Sequence, residues 1–191
     1  MLSLPYHPTR WQKLVQRLFA MQAVSAVIAP IAHRLDNPVI RLSHGRTTLT
    51  SILTGLPVVT LTTLGAKSGQ PRSVPLVAIP LETEVQQTGP EARGAGPEAR
   101  GKIILIASNF GRAHHPAWYY NLRLNPHATV AIGDLTGEYL AHEAAGEERE
   151  YAWQRAAYLY GGYNAYRQRA SLRTIGVFVL TPEPPPAPIL G

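Results

Sequence analysis

Three clusters of residues in this 191-residue chain are of types and spacings that could do chemistry. The first is Ser-Asn-Phe-Gly-Arg-Ala-His-His-Pro-Ala-Trp-Tyr-Tyr-Asn-Leu, residues 108–122, which sets two adjacent histidines, a proline, four aromatics and two asparagines behind a short apolar run. Adjacent His114 and His115 tend to point in different directions, no His-Glu-x-x-His spacing occurs, and His127 and His142 sit on candidate strands without a local partner. A metal site is therefore not expected. A short helix beginning at Pro116, with His115 near its cap and Asn125-Pro126 ending it, would put Trp118 and Leu122 on one face. Asn121 then projects three residues on from Trp118. Ser108, Asn109 and Gly111 form a polar strand-to-helix link able to bring backbone N–H groups beside a planar ligand, while Trp118 by itself reads as core.

The second cluster is Thr-Thr-Leu-Gly-Ala-Lys-Ser-Gly-Gln-Pro-Arg-Ser-Val-Pro-Leu, residues 62–76. It imitates a phosphate loop, but Ala66 breaks the Gly-Lys-Ser adjacency and a proline-containing strand follows where a P-loop requires a helix. What remains is a tight, glycine-bounded turn between two strands, flanked by Lys67 and Arg72. Backbone N–H groups with a cation on each side make an anion-binding concavity; a solvated basic hairpin is the plainer reading of the turn taken alone. The third cluster, Tyr160, Tyr163 and Tyr166, spaces three phenols at three-residue steps around Gly161-Gly162. Such a set can staple a helix to the core, or wall a pocket with hydroxyls that donate protons or hydrogen bonds.

The elements that must position these clusters follow from periodicity. Leu56–Ala107 is read as strands: 56–65 and 73–81 are rich in β-branched residues and 102–108 is a short apolar run. Residues 127–133 and 135–145 continue as strands around a Gly133-Asp134 turn, and 174–182 is a last buried strand. Helices are predicted over 146–160, with Glu147 and Glu148 suiting the positive end of its dipole, and over 163–170. Residues 10–35 carry apolar positions at three- and four-residue steps, with Pro30 kinking or dividing the helix. That helix either covers the core or lies in a membrane interface with Arg10, Lys13 and Arg17 on its polar face. Residues 89–102 repeat a seven-residue unit whose first six residues are Gly-Pro-Glu-Ala-Arg-Gly, with nothing to bury, which reads as a mobile hairpin loop. Strands fill the middle, helices cover the edges and βαβ alternation is absent, so the fold class expected is α+β, an antiparallel barrel with outer helices. Residues 1–50 form a helical extension, 51–182 the barrel domain, and 183–191 a disordered Pro-rich tail.

Composition narrows the function. There is no Cys, which removes disulfides, thiolate metal sites and cysteine nucleophiles and fits a cytoplasmic protein. The net charge of +6 and pI near 9.8 favour an anionic partner. Lys and Arg are scattered and no RNA-binding aromatic motif occurs, so nucleic acid is not the expected one. The stretch from Leu18 to Ala32 is interrupted by Gln22, Ser25 and Pro30 and falls short of the ~20 apolar residues that span a bilayer.

Taken together and in order, the stretches 61–76, 106–126 and 158–182 resemble the deazaflavin-dependent nitroreductase family of split β-barrel oxidoreductases. The resemblance implies coenzyme F420, a 5-deazaflavin with a phosphate and an anionic glutamyl tail, as hydride donor, and a quinone or nitro-type acceptor. It places Thr63, Lys67, Ser68 and Arg72 at the phosphate and tail, and Pro75, Ala107, Ser108, Asn109 and Asn121 around the deazaflavin. Tyr160, Tyr163 and Tyr166 fall on the substrate-side wall, with Ser108 or a tyrosine hydroxyl as donor to the reduced acceptor. Two positions depart from the family's habit: Ala66 stands where a basic residue usually precedes the lysine, and Asn109 where a lysine often follows the serine. An FMN-dependent enzyme on the same barrel and a non-catalytic carrier of a cofactor or hydrophobic ligand are the alternatives. The N-terminal helix would hold the protein at the inner face of the membrane, near lipid-soluble quinones, and a homodimer stays open.

Overall fold

A computed structural model describes residues 9–20, 53–81, 101–132, 135–170 and 172–184. The expected helix beyond residue 20, most of the 1–50 extension, most of the duplicated loop, the Gly133-Asp134 turn and the end of the Pro-rich tail lie outside these residues.

Seven strands form one sheet in which every neighbouring pair is antiparallel: β1 (Val58–Leu64), β2 (Pro71–Val77), β3 (Ile79–Leu81), β4 (Lys102–Ile106), β5 (His127–Ile132), β6 (Leu135–Glu143) and β7 (Val177–Pro182). Alternation sets the strand faces. In β1, Val59, Leu61 and Thr63 are buried between neighbours that are half-buried or, at Leu64, exposed, and in β6, Gly137, Tyr139 and Ala141 are buried between exposed ones. β4 and β7 are apolar nearly throughout because both their faces are covered. Ile103, Leu105, Phe178 and Leu180 look into the barrel interior, and Ile104, Ile106, Val177 and Val179 look out to the helices.

The strand order is β2-β1-β5-β6-β7-β4-β3. Its first and last members are two halves of a single segment, parted only at Ala78, whose N–H donates to the Pro57 carbonyl at 3.0 Å. The sheet therefore curls until it meets itself, the antiparallel barrel that the sequence predicts. Closure is incomplete: among the described residues no ladder joins β2 to β4, and Pro71 and Pro75 on β2 have no N–H to offer. The gap between these two strands is the split in the barrel.

Among the described residues the helices that flank the sheet are α1 (Arg10–Ala20), α2 (Ala117–Leu124), α3 (Gly146–Leu159) and α4 (Gly162–Arg169). Pro116 is the N-cap of α2 instead of its first helical residue, one position from expectation, and Asn125 ends it as predicted. Trp118, Tyr119 and Leu122 of α2 enter the barrel core, with Trp118 edge-to-face on Phe178 at 5.8 Å. α3 starts with Glu147 and Glu148 and buries Ala152, Trp153 and Ala156, and α4 follows after Tyr160 and Gly161. Large apolar side chains buried this completely, such as Leu122 and Phe178, contribute about 1.5–3 kcal/mol each by leaving water.

Among the described side chains of α1, which end at Gln16, the apolar Trp11 and Leu14 turn away from the body. Gln16 faces the body, donating to the Thr54 carbonyl at 2.6 Å, and the Gln12 amide lies against Gly55, while Trp11 and Leu14 are 50% and 59% exposed beside Arg10 and Lys13. Among the described residues no helix is long and apolar enough to cross a membrane.

Candidate active site

The turn between β1 and β2 is built by its glycines. Gly69 donates to the Gly65 carbonyl at 2.8 Å, Gly65 donates to the Gln70 carbonyl at 2.9 Å, and Gly69 has φ +62°, which favours glycine. A Cβ on Gly65 would lie 2.7 Å from Ser68 Oγ and 3.3 Å from the Gln70 carbonyl, so a larger residue there would make the Ser68 side chain turn away and crowd the turn. Lys67, Ser68 and Arg72 stand exposed on this turn.

Asn121 ties the turn to α2. Its Oδ1 accepts from Ala66 N–H at 2.9 Å and its Nδ2 donates to Thr63 Oγ1 at 3.0 Å, both Asn121 and Thr63 being buried. The same pattern accounts for Ala66, the first departure from the family habit: its backbone serves as the anchor while its methyl points to solvent. Asn109, the second departure, directs its amide to the His114 carbonyl at 2.9 Å and lies 3.2 Å from His114 Nδ1.

Two connected spaces open along the split. The outer one is an open groove of about 990 Å³ bordered by Thr63, Lys67, Ser68, Arg72, Asn109 and Asn121, together with His114, His115 and Tyr120. No Asp or Glu is among its lining residues. The inner one is a chamber of about 180 Å³, mainly apolar, walled by Leu56, Leu76, Ile106, Pro75 and Ser108 and by all three tyrosines. Val74, Asn109, Pro116 and Trp118 border both, so the two spaces meet at the strand-to-helix link. Ala107 borders neither. It is fully buried, its N–H donating to Gly176 and its carbonyl accepting from Arg173. Its side chain packs in the barrel core with that of Leu105, and what it offers toward the link is its backbone.

The tyrosine wall is a packed triad with centroids 5.3–6.2 Å apart, all edge-to-face. Tyr160 and Tyr166 share a hydroxyl hydrogen bond of 3.0 Å. Burial pushes the pKa of all three upward, for Tyr160 with help from the neighbouring Tyr166, so they stay neutral phenols. The hydroxyls of Tyr163 and Ser108 have no partner among the described residues, and no buried side-chain polar atom there is orphaned, so both groups open onto the chamber. The spacing of the triad depends on Gly162, where a Cβ would fall 2.2 Å from Tyr160 Cζ.

Arg173 was not legible as a site residue. Set just before β7, it donates to the carbonyls of Arg112, Ala107 and Ser108 and to His115 Nδ1, thereby holding the link from behind. His115 stacks on Tyr119 at 3.8 Å, and burial together with Arg173 lowers its pKa. Among the described residues no group of three or more potential ligands could hold a metal.

Comparison with known proteins places this architecture. A protein of Mycobacterium tuberculosis named for F420H(2)-dependent quinone reduction is 34% identical over 81 residues, covering 42% of this chain and 67% of the relative. The solved structure of an F420-H2 dependent reductase, FDR-A, superposes with a TM-score of 0.50 at 36% identity, over 65% of this chain and 93% of that one. A second structure, described as a domain-swapped dimer, gives 0.53 at 32% identity over 75% and 94%. The pattern of the F420H(2)-dependent quinone reductase family spans residues 33–182, and the chain is a member of that family, an oxidoreductase whose cofactor is F420.

Proposed function

We propose that this enzyme reduces a quinone held in the inner chamber with hydride from F420H2 held in the outer groove. The observation that carries the reading is the junction of an acid-free groove with an apolar chamber at Val74, Asn109, Pro116 and Trp118. A cofactor with a polyanionic tail and a flat ring fits such a groove, because Lys67 and Arg72 answer the charge and the Gly65–Gly69 turn supplies N–H groups. The chamber is too small for a whole cofactor and suits one ring system of an acceptor.

When bound, the reduced deazaflavin supplies the hydride. The chain's own residues do the rest. Lys67, Ser68 and Arg72 bind the phosphate and tail, and Thr63 and Asn121 hold the turn in shape for them. Asn109 lines the ring where groove and chamber meet, and Pro75 and Ser108 meet it from the chamber side of that junction. Leu56, Leu76 and Ile106 exclude water from the acceptor, so the reacting partners are held in a dry, fixed orientation. Tyr163 Oη, with Ser108 Oγ beside the link, donates a hydrogen bond to the acceptor oxygen as negative charge gathers on it. Tyr160 and Tyr166 orient Tyr163 and keep their own protons. An electron-poor nitro compound would meet the same donors.

We place the protein at the cytoplasmic face of the membrane, with α1 as its contact. Trp11 and Leu14 are exposed on the same helix as Arg10 and Lys13, an arrangement that suits the headgroup boundary and brings the chamber near lipid-soluble quinones. A homodimer is compatible with the domain-swapped relative.

The test is a fluorescence titration with F420 and FMN in parallel, followed by oxidation of reduced, bound cofactor by menadione. Preference for F420 with quinone-dependent reoxidation above the protein-free rate is expected. Preference for FMN overturns the cofactor, and F420 binding without turnover reduces the protein to a carrier.

A further inference from the structure

We propose that Arg173 is a positioning residue for the cofactor ring: one guanidinium gathers the carbonyls of Ala107, Ser108 and Arg112 and so fixes the link that borders both groove and chamber. The inference rests on the reading of the groove as an F420 site, and it concerns a residue that touches neither space.

The link needs holding. Asn109 and Phe110 are consecutive non-glycine residues at φ 45° and 57°, a left-handed pair that side chains disfavour and that only their surroundings can maintain. On one side Gly111, at φ +80°, packs so closely on α4 that a Cβ there would lie 2.9 Å from Arg169 Cβ and 3.3 Å from the Tyr166 carbonyl. On the other side stands Arg173. Its Nε donates to the Arg112 carbonyl at 2.9 Å, and its Nη2 donates to Ser108 at 2.8 Å and Ala107 at 3.2 Å. Its Nη1 meets His115 Nδ1 at 3.2 Å. The rigid planar fork lets one side chain reach carbonyls five residues apart in the link, which a lysine could not do with a single nitrogen.

No carboxylate pairs with this guanidinium among the described residues. Its charge is thus spent on peptide groups. The Ser108 carbonyl accepts from both Arg173 and Gly111 N–H, which polarises the Ser108-Asn109 peptide. The N–H of that peptide, on Asn109, has no partner among the described residues. A polarised, unpartnered donor on a residue that borders the ring space is a ready hydrogen-bond partner for an electron-rich edge of the ring. Arg173 therefore sets both the shape of the link and the strength of its donor.

The test uses the full-length chain as wild type, Arg173→Lys and Arg173→Gln. Hydrogen exchange of the peptide spanning 108–115 is measured in the free protein, and affinity is measured for F420 and for the tail-less deazaflavin riboside. Both variants should exchange faster at 108–115 and bind both ligands more weakly, by about 10- to 100-fold for Arg173→Gln and less for Arg173→Lys. Lys67→Ala, by contrast, should weaken F420 and spare the riboside. Unchanged exchange at 108–115 overturns the clamp. Faster exchange with unchanged riboside affinity, or loss confined to F420, overturns the positioning of the ring. Wild-type protein that binds neither ligand overturns the proposed function and the ligand half of this inference, and exchange alone then decides the clamp. Should both variants fail to fold, His115→Phe, which keeps a ring on Tyr119 and removes the contact to Nη1, is measured in the same way, with a smaller rise in exchange expected and no rise overturning the clamp.

Discussion

Tyr163 differs from its two neighbours in what its hydroxyl is doing. Tyr160 and Tyr166 hold each other at 3.0 Å, whereas Tyr163 Oη has no described partner and opens on the chamber. Tyr163→Phe is accordingly expected to lower kcat with a quinone by about 10²-fold while leaving F420 affinity near wild type. Equal loss in kcat and affinity would make Tyr163 a packing residue instead. Gly162→Ala tests the triad from below: a methyl 2.2 Å from Tyr160 Cζ must push that ring off Tyr166, costing about 1–3 kcal/mol, to be read from the denaturation midpoint. His115 supplies the pH dependence. Arg173, Glu143, Arg123, Tyr119 and Tyr120 face it, and burial with the two arginines outweighs Glu143, so its folded pKa lies below 6.5. A lowered folded pKa means that the neutral form is the one that folding favours. The stability attached to it is complete above about pH 6.5 and is lost as pH falls through the lowered folded value. His115→Gln should therefore lose less Tm than wild type between about pH 7 and 5. These details were hidden in the sequence. Three tyrosines in step could be read, but which hydroxyl is occupied depends on packing across the double glycine.

At the scale of elements, the β1–β2 turn and α2 act as one unit through Asn121. Asn121→Ala would leave Ala66 N–H and Thr63 Oγ1 without their partner, a loss of about 1–3 kcal/mol in unfolding free energy. F420 affinity should fall with it, because the turn that carries Lys67 loses its anchor. Thr63→Val, which keeps the Ala66 contact, should cost less. The helix α1 belongs to a different surface. Vesicles containing anionic lipid should bind the protein, and Lys13→Glu should weaken that binding by at least fivefold, since one basic residue near such a surface is worth about 1 kcal/mol. Binding indifferent to Lys13 and to Trp11→Ser would remove α1 from the membrane. Element types were legible throughout the barrel because alternation and unbroken apolar runs report one-sided and two-sided burial directly. The face of α1 was not, since a stripe of apolar residues looks the same whether it meets a core or a bilayer.

For the whole molecule, the antiparallel barrel could be anticipated from strand number and the lack of βαβ alternation, and the family from three ordered stretches. What no local pattern could reveal was the part played by contacts between distant residues. Arg173 reaches Ala107 and Ser108 across more than sixty residues of chain, and it does so by bonding carbonyls, which every residue carries. The segment 71–81 is the feature with the widest reach, because it supplies both the first and the last strand of the sheet. Arg72 and Pro75 lie on it, and its partners Thr60 and Thr63 lie on β1. The groove needs the start of this segment set against β1 and the link and α2 set beside it, so an unfolded chain has nothing with which to hold F420. Ligand occupancy and folding then become one equilibrium. The cofactor works as a clasp on the barrel, and at about 100 times its dissociation constant it should add about 2.7 kcal/mol to the unfolding free energy. A cell short of F420 would be expected to hold less of the folded enzyme, so the supply of cofactor would set the amount of catalyst as well as its turnover.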